Sequence, residues 1–229
     1  MSKTVRTFRD RREAGQVLAR DLARCLERHG HDDLQVLGLA RGGVPIGWEV
    51  ASFLQVPLDV CLVRKLGVPQ WPELAMGAVA TGGGVVFNDE LIRSLEITDD
   101  QIRETVARET AELSRREQTY RAGRGGLVLA GRTVILVDDG IATGASMTAA
   151  VRSVRQAGAS TVIVGVPVGP ASVCRKLRED ADDVVCSTMP ADFGAVGQAF
   201  VDFHQVTDDE VRTLLATPTT GSGSTVDNR

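Results

Sequence analysis

Hydrophobic spacing changes character several times along the chain. Between residues 10 and 28, Ala14, Val17, Leu18, Leu22, Cys25 and Leu26 recur at helical intervals with Arg, Asp and Glu between them, which predicts an amphipathic helix ended by Gly30. Residues 44–54 predict a short helix with Pro45 in its first turn. The segments 34–40, 57–63, 133–139, 161–168 and 183–188 are apolar without alternation, so they predict strands covered on both faces. Helical stretches at 146–157 and 170–181 separate the last three. Strand–helix alternation of this kind implies an α/β fold with a parallel sheet and right-handed crossovers.

Two regions depart from that rhythm. Residues 64–84 carry Pro69, Trp71 and Pro72 without a clear period; much of this stretch is expected to be a mobile loop, returning as a strand from about Gly77, with a hairpin turn at Gly82–Gly84. Residues 98–121 predict a long helix opened by a Thr98/Gln101 capping box. Its apolar face is sparse (Ile102, Val106, Leu113, Tyr120), so it is expected to be largely exposed or to pack on a partner. Residues 1–216 are expected to form one domain, with 217–229 a disordered low-complexity tail.

Composition removes several function classes. Net charge is −4, which gives no global support for nucleic acid or anionic membrane as partners. The arginines at 103, 108, 115, 116, 121 and 124 are interleaved with glutamates and read as a solvated face. No apolar segment is long enough to span a bilayer and the N-terminus lacks an apolar leader core, so a cytoplasmic location is expected. Cys25, Cys61, Cys174 and Cys186 form no CxxC pair, and none is read as near a histidine at zinc-ligand spacing; they are expected to be buried or half-buried thiols in a reducing compartment. His29 and His31 are expected to be exposed, and His204 stays open. A Cys/His hydrolase or a zinc enzyme is disfavoured.

The chemistry concentrates in "VILVDDGIATGAS", residues 134–146. Ligands of open α/β sheets bind beyond the carboxyl ends of strands, where Asp138 and Asp139 fall. The small residues that follow run into a helix N-terminus, a combination suited to cradling a phosphate. Carboxylates beside a phosphate cradle suit a ribose phosphate; an Asp-Asp-Gly turn with a helix cap is the structural alternative. Neither a P-loop nor a GxGxxG dinucleotide fingerprint is present.

Residues 134–146 closely resemble the phosphoribosyl pyrophosphate (PRPP) signature of type I phosphoribosyltransferases. "GLARGGVPIG" (38–47) resembles the family's pyrophosphate loop, "VRKLGVP" (63–69) the start of its flexible loop, and "AVGQAFVDF" (195–203) a C-terminal segment beside the base. The likeness runs over about residues 10–205 and is nearest to a bacterial group carrying "DDGIATG". It implies a parallel central sheet flanked by helices, with a small hood formed by the N- and C-terminal segments and the charged helix at about 98–121 as an insertion.

The resemblance also implies roles. Asp138 and Asp139 would hold the ribose hydroxyls, and Gly140, Ile141, Ala142, Thr143, Gly144, Ala145 and Ser146 would wrap the 5′-phosphate. Arg41, Gly42 and Gly43, with Lys65 and Arg64 from the flexible loop, would contact pyrophosphate, and a cis peptide is expected near Ala40–Arg41. Catalysis would rest on Asp138, Asp139, Arg41 and Lys65. Mg²⁺ would arrive with PRPP, bound mostly by its oxygens and waters, and Asp202 matches a family Asp near the metal, a turn Asp being the alternative. Arg64 and Lys65 also read as solvated charges; Glu73 is unassigned. Trp71 reads as a surface loop anchor or as a base-stacking or lid residue, and Phe200 and Phe203 as core of a late strand or as stacking partners of a base. Ala142 stands where members acting on 6-oxopurines carry an Asp, which argues against a hypoxanthine–guanine activity. Gly140 replaces a usual apolar residue and is expected to lend the turn backbone freedom. The implied partners are PRPP and an unidentified nitrogenous base, with room for a homodimer and no role for nucleic acid or membrane. A PRPP-sensing regulatory protein of the same fold is the alternative.

Overall fold

The five apolar runs all become strands of one parallel sheet. In the computed structural model, which describes residues 7–29, 33–124 and 127–220, helix α1 (Arg11–Leu26) leads into strand β1 (Leu34–Leu39), helix α2 (Gly43–Leu54) and strand β2 (Leu58–Cys61). Strands β3 (Val63–Val68), β4 (Trp71–Ala80) and β5 (Val85–Phe87) follow, then helices α3 (Asp89–Ser94) and α4 (Asp99–Tyr120). The chain returns through β6 (Thr133–Val137), α5 (Ala145–Gln156), β7 (Thr161–Val168), α6 (Ala171–Leu177) and β8 (Asp183–Thr188). A 3-10 turn (Val196–Ala199) and helix α7 (Asp208–Ala216) complete it. Gly30, His31 and the tail from residue 221 lie outside the described residues.

The sheet order is β2-β1-β6-β7-β8, all parallel. Successive side chains of a strand point to opposite faces, and β6 shows why its run is apolar throughout. Ile135 and Val137 join the core beneath α1 and α2, with Leu18, Leu22, Val44 and Val50. Val134 and Leu136 join a second core with Met147, Val151 and Val154 of α5 and Leu177 of α6. Fully burying each such side chain contributes about 1.5–3 kcal/mol, so both faces of β6 favour apolar positions.

The expected mobile loop is instead an ordered antiparallel hairpin of β3 and β4, extended by β5. The prolines that suggested a loop sit where a hairpin can take them. Pro69 lies in the turn, and Pro72 lies in the part of β4 that β5 does not pair. A register shift at Gly67 accommodates the irregularity, and a Cβ there would lie 2.6 Å from the Pro72 carbonyl oxygen. Leu66, Val68, Met76 and Val79 are buried, while Trp71 stays 56% exposed beside the tip. The turn at Gly82–Gly84 is as expected, with Gly82 and Gly83 at positive φ.

Helix α4 carries the predicted capping box, and Leu113 and Tyr120 are buried against the rest of the fold rather than left for a partner. Its arginines are paired: Arg103 with Asp100, Arg108 with Glu109, and Arg115 and Arg116 with Glu112. Beyond its end, Arg121 and Arg124 both reach Asp59. Helix α6 stops at Leu177, four residues short of the expected 181.

Phe200 and Phe203 do not form a strand. The main chain around Phe200 pairs with the N-terminal segment instead: Phe8 N–H donates to Ala199 O at 2.8 Å and Val201 N–H to Phe8 O at 2.9 Å. This tie holds the start of α1 beside residues 200–204. Helix α7 was not expected, although its Thr207/Glu210 capping box is visible in the sequence. No helix among the described residues is long and apolar enough to cross a membrane.

Candidate functional site

Strands β1 and β6 are neighbours with Gly38 opposite Val137, so the loops leaving their carboxyl ends emerge side by side. One loop carries Arg41–Gly43 and the other Asp138–Gly144. They interlock through missing side chains. A Cβ on Gly42 would lie 2.0 Å from Asp139 Oδ2, and one on Gly43 would lie 2.4 Å from Val137 O. A Cβ on Gly38 would lie 2.8 Å from Gly43 O, so that glycine lets the α2 N-terminus fold back onto its own strand. The acid pair is thus seated on the glycine pair. The Ala40–Arg41 peptide is cis, as the resemblance implies.

Asp138 and Asp139 are not equivalent. Asp138 Oδ1 accepts from Asp139 N–H at 2.9 Å, and Asp138 has burial and its neighbour's charge against it. Both push its carboxyl well above the ordinary range, burial most strongly. Burial raises Asp139 too, but the Arg11 guanidinium opposes it. Arg11 Nε and Nη2 lie 2.9 and 2.8 Å from Asp139 Oδ2, while Nη1 donates to His204 O at 2.8 Å. The guanidinium also sits 4.0 Å from the Phe203 ring centroid, and Phe203 stacks on Phe200 at 4.9 Å.

Arg11 joins the acid pair without being among the residues that the sequence pattern singles out. It sits in "RDRREAG", where any arginine reads as surface charge. The available signal is position: Arg11 precedes Ala14 and Leu18 by three and seven residues, on the buried face of α1.

Past the acids, the loop divides its tasks. Gly140 is buried, and a Cβ would meet Val196 and Val168 at 2.5 and 2.8 Å, so close packing requires this glycine rather than backbone freedom. Ile141 is turned inward, and its N–H is used by Val168 O at 2.9 Å, so neither joins a cradle. Ala142, Thr143, Ala145 and Ser146 are exposed, and Gly144 takes φ +80° at the start of α5. There the first N–H groups of a helix lack intrahelical partners, and Ala145 N–H donates to the Thr143 hydroxyl at 3.4 Å. A cavity of about 340 Å³ opens beside Thr143–Ala145, with Lys176 in its wall.

The expected pyrophosphate contacts separate. Arg41 reaches Asp208 at 3.3 Å, and Asp208 also accepts from the Tyr120 hydroxyl at 2.6 Å, tying the loop to α4 and α7. Lys65 is exposed, with Nζ on Glu73 O at 2.9 Å. Arg64 is held by Glu109 of α4 through bonds of 2.6 and 3.0 Å. Glu73 supplies a backbone carbonyl to Lys65, and its side chain is exposed.

Asp202 is engaged by His204, whose N–H and Nδ1 both lie at 3.2 Å. That contact pulls the Asp202 carboxyl below its ordinary range and raises His204. The donors near the loops are hard carboxylate oxygens, among which no three-ligand cage forms in the described residues. Such donors fit Mg²⁺ that keeps its waters and substrate oxygens.

Comparison with known proteins agrees with this architecture. The phosphoribosyl transferase domain model matches residues 78–204, which include the acid pair and α5. Two curated proteins from Mycobacterium tuberculosis strains CDC 1551 and H37Rv, named provisionally as phosphoribosyl transferases, are each 44% identical over 92% of this chain. The chain spans 47% of the length of these relatives. The crystal structure of TT1426 from Thermus thermophilus superposes with a TM-score of 0.78 at 43% identity, covering 91% of this chain and 97% of that one. With the signature acids at the carboxyl end of the central strand and the family model spanning them, the chain belongs to the phosphoribosyl transferase domain family.

Proposed function

We propose that the chain is a Mg²⁺-dependent phosphoribosyltransferase that exchanges pyrophosphate and a nitrogenous base at the anomeric carbon of PRPP. The observation that carries this reading is the seating of Asp138 and Asp139 on Gly42 and Gly43, directly before the α5 N-terminus. The carboxylates accept from the vicinal ribose hydroxyls. The 5′-phosphate lies on Thr143–Ser146, against the first N–H groups of α5 and the Thr143 hydroxyl. Arg41 and the backbone of Gly42 and Gly43 receive pyrophosphate, joined by Lys65.

As the anomeric C–O bond breaks, negative charge collects on pyrophosphate and positive charge on the ribose. Preorganised cations and dipoles that meet this developing charge lower the barrier. Arg41 and Lys65 stabilise the leaving group, and the acid pair lies against the sugar. Mg²⁺, held mainly through PRPP with the acid pair as the chain's contribution, neutralises phosphate charge when bound. Asp202 remains its further candidate ligand. The tip of the β3–β4 hairpin, with exposed Trp71 and Leu74, is the segment that keeps water from the cation-like sugar.

The acceptor is not expected to be a 6-oxopurine, because Ala142 offers no partner to its N7. The test is a pyrophosphate-release assay with Mg²⁺·PRPP across purine, pyrimidine and pyridine bases. Release with one class establishes the transferase and names its acceptor. PRPP binding without release from any base would support the PRPP-sensing alternative instead.

A further inference from the structure

A second cluster of ligating side chains lies at the other end of the sheet. Cys25 stands in the last turn of α1, His29 just beyond it, and Asp183 opens the edge strand β8. One oxygen, Asp183 Oδ2, has Cys25 Sγ at 3.2 Å, His29 Nε2 at 3.3 Å and Arg28 Nη2 at 2.7 Å. The other oxygen is occupied by Val184 N–H at 2.8 Å, which sets the rotation of the carboxylate. The thiol, imidazole and carboxylate atoms all lie within 4.8 Å of one another, the one such group of three among the described residues.

Those separations have a chemical meaning. Zinc bonds of about 2.0–2.3 Å in a tetrahedron put neighbouring ligand atoms roughly 3.3–3.6 Å apart. The two contacts to Asp183 are close to such edges. The chain leaves α1 through tightened turns, with Arg28 N–H on Cys25 O and His29 N–H on Leu26 O, and these bring the imidazole back to the same carboxylate oxygen as the thiol. Cys25 and Asp183 also border a cavity of about 490 Å³ that brings Cys174 and Cys186 to the same surface. The four cysteines are free, so these thiols are not consumed by disulfides.

We propose that Cys25, His29 and Asp183 form a binding site for a borderline-soft divalent cation of the Zn²⁺ type, completed by water from the adjoining cavity. A thiolate and an imidazole select such an ion over Mg²⁺, which prefers oxygen ligands. Binding replaces the Cys25 thiol proton, which leaves to solvent, so the ligand set is thiolate, neutral imidazole and carboxylate. Arg28, largely exposed, swings away from Asp183 as the cation enters. The ion pins the end of α1 to β8 at its amino end, whereas the PRPP acids lie at the carboxyl end of β6. It is a clamp on the fold, separate from the transfer chemistry.

The test titrates the reduced, tag-free full chain with Co²⁺ in excess Mg²⁺, then with Zn²⁺. The expected result is a single Co²⁺ per chain with thiolate-to-cobalt absorption in the near ultraviolet, displaced by Zn²⁺ and accompanied by a higher melting temperature. Cys25→Ser removes that band. His29→Ala, a change outside the core, weakens Zn²⁺ by at least about tenfold, the size of loss that even outer-shell changes cause. Arg28→Ala does not weaken it. Asp138→Asn with Asp139→Asn keeps the cobalt spectrum, so failure of the PRPP reading and failure of this one are distinguishable. A cobalt complex without the thiolate band, unchanged Zn²⁺ affinity in His29→Ala, or loss of the spectrum with the acid pair would overturn the assignment.

Discussion

Arg11 and Asp139 meet at 2.8 Å across 128 positions of sequence, and both side chains are largely shielded from water. Burial pushes both carboxyls of the acid pair up, and this contact opposes that push, most strongly at Asp139. Breaking a buried ion pair by removing one partner costs about 3–5 kcal/mol, because the other charge is left uncompensated. Arg11→Ala is therefore expected to lower stability by about 3 kcal/mol in urea unfolding and to weaken PRPP. Arg11→Lys, which keeps the charge but not the fork, should recover only part of either. A fully stable Arg11→Ala chain would show that the pair is not closed in solution.

The acid pair should make the apo fold prefer acid. A carboxyl whose folded value is raised binds its proton more tightly in the folded chain than in the unfolded one. Its contribution is then most favourable at low pH and is lost as pH rises from the usual carboxylate range through the raised folded value. Asp138 is the member raised most clearly, by burial and by Asp139. Asp138→Asn is expected to flatten the fall in melting temperature between pH 4 and 8 relative to the parent and to raise the neutral-pH value. Asp138→Asn with Asp139→Asn should also abolish the thermal shift by Mg²⁺·PRPP. Parallel pH curves for parent and Asp138→Asn would count against the shifted carboxyl.

Two adjacent glycines should fail for different reasons. A Cβ on Gly42 meets the Asp139 carboxylate, whereas one on Gly43 meets the Val137 backbone. Overpacking of this kind costs about 1–3 kcal/mol. In the Asp139→Ala background the obstructing atoms are gone, so Gly42→Ala should lose most of its penalty while Gly43→Ala keeps its own. Double-mutant cycles in urea measure that coupling; additive penalties at Gly42 would contradict the seating of the acid pair.

Lys65 and Arg64 should divide between chemistry and structure. Removing one preorganised donor typically costs about 10²–10³ in kcat. Lys65→Ala is expected to lose activity on that scale with an unchanged melting temperature. Arg64→Ala, which frees half-buried Glu109, should lower the melting temperature and leave kcat near the parent value. The opposite pattern would return Arg64 to the pyrophosphate.

Hydrophobic spacing was enough to predict the parallel sheet, because apolar runs covered on both faces have few alternatives. The loops of the acid pair were readable for a different reason: Asp138, Asp139 and the small residues after them have a chemistry that few turns need. The β3–β4 hairpin was hidden because Pro69 and Pro72 mark turns in sequence, while the pairing that absorbs them is visible only in register. Arg11 and the Cys25–His29–Asp183 cluster share a further obstacle. Arg11 depends on Asp139 and Cys25 on Asp183, each more than 120 residues away; the Cys25/His29 spacing is local, but without the distant carboxylate a single thiol and imidazole do not read as a ligand set.

The main-chain tie between Phe8 and Phe200 has a consequence for how the protein comes into being. It sets residues 200–204 beside α1, where Arg11 bonds both the His204 carbonyl, 193 positions away, and Asp139. Closing so long a span is entropically costly and belongs to late steps of folding. During synthesis, the acids of β6 emerge well before the segment that completes their surroundings. The surroundings of the acid pair are therefore completed only after the two ends of this span have met.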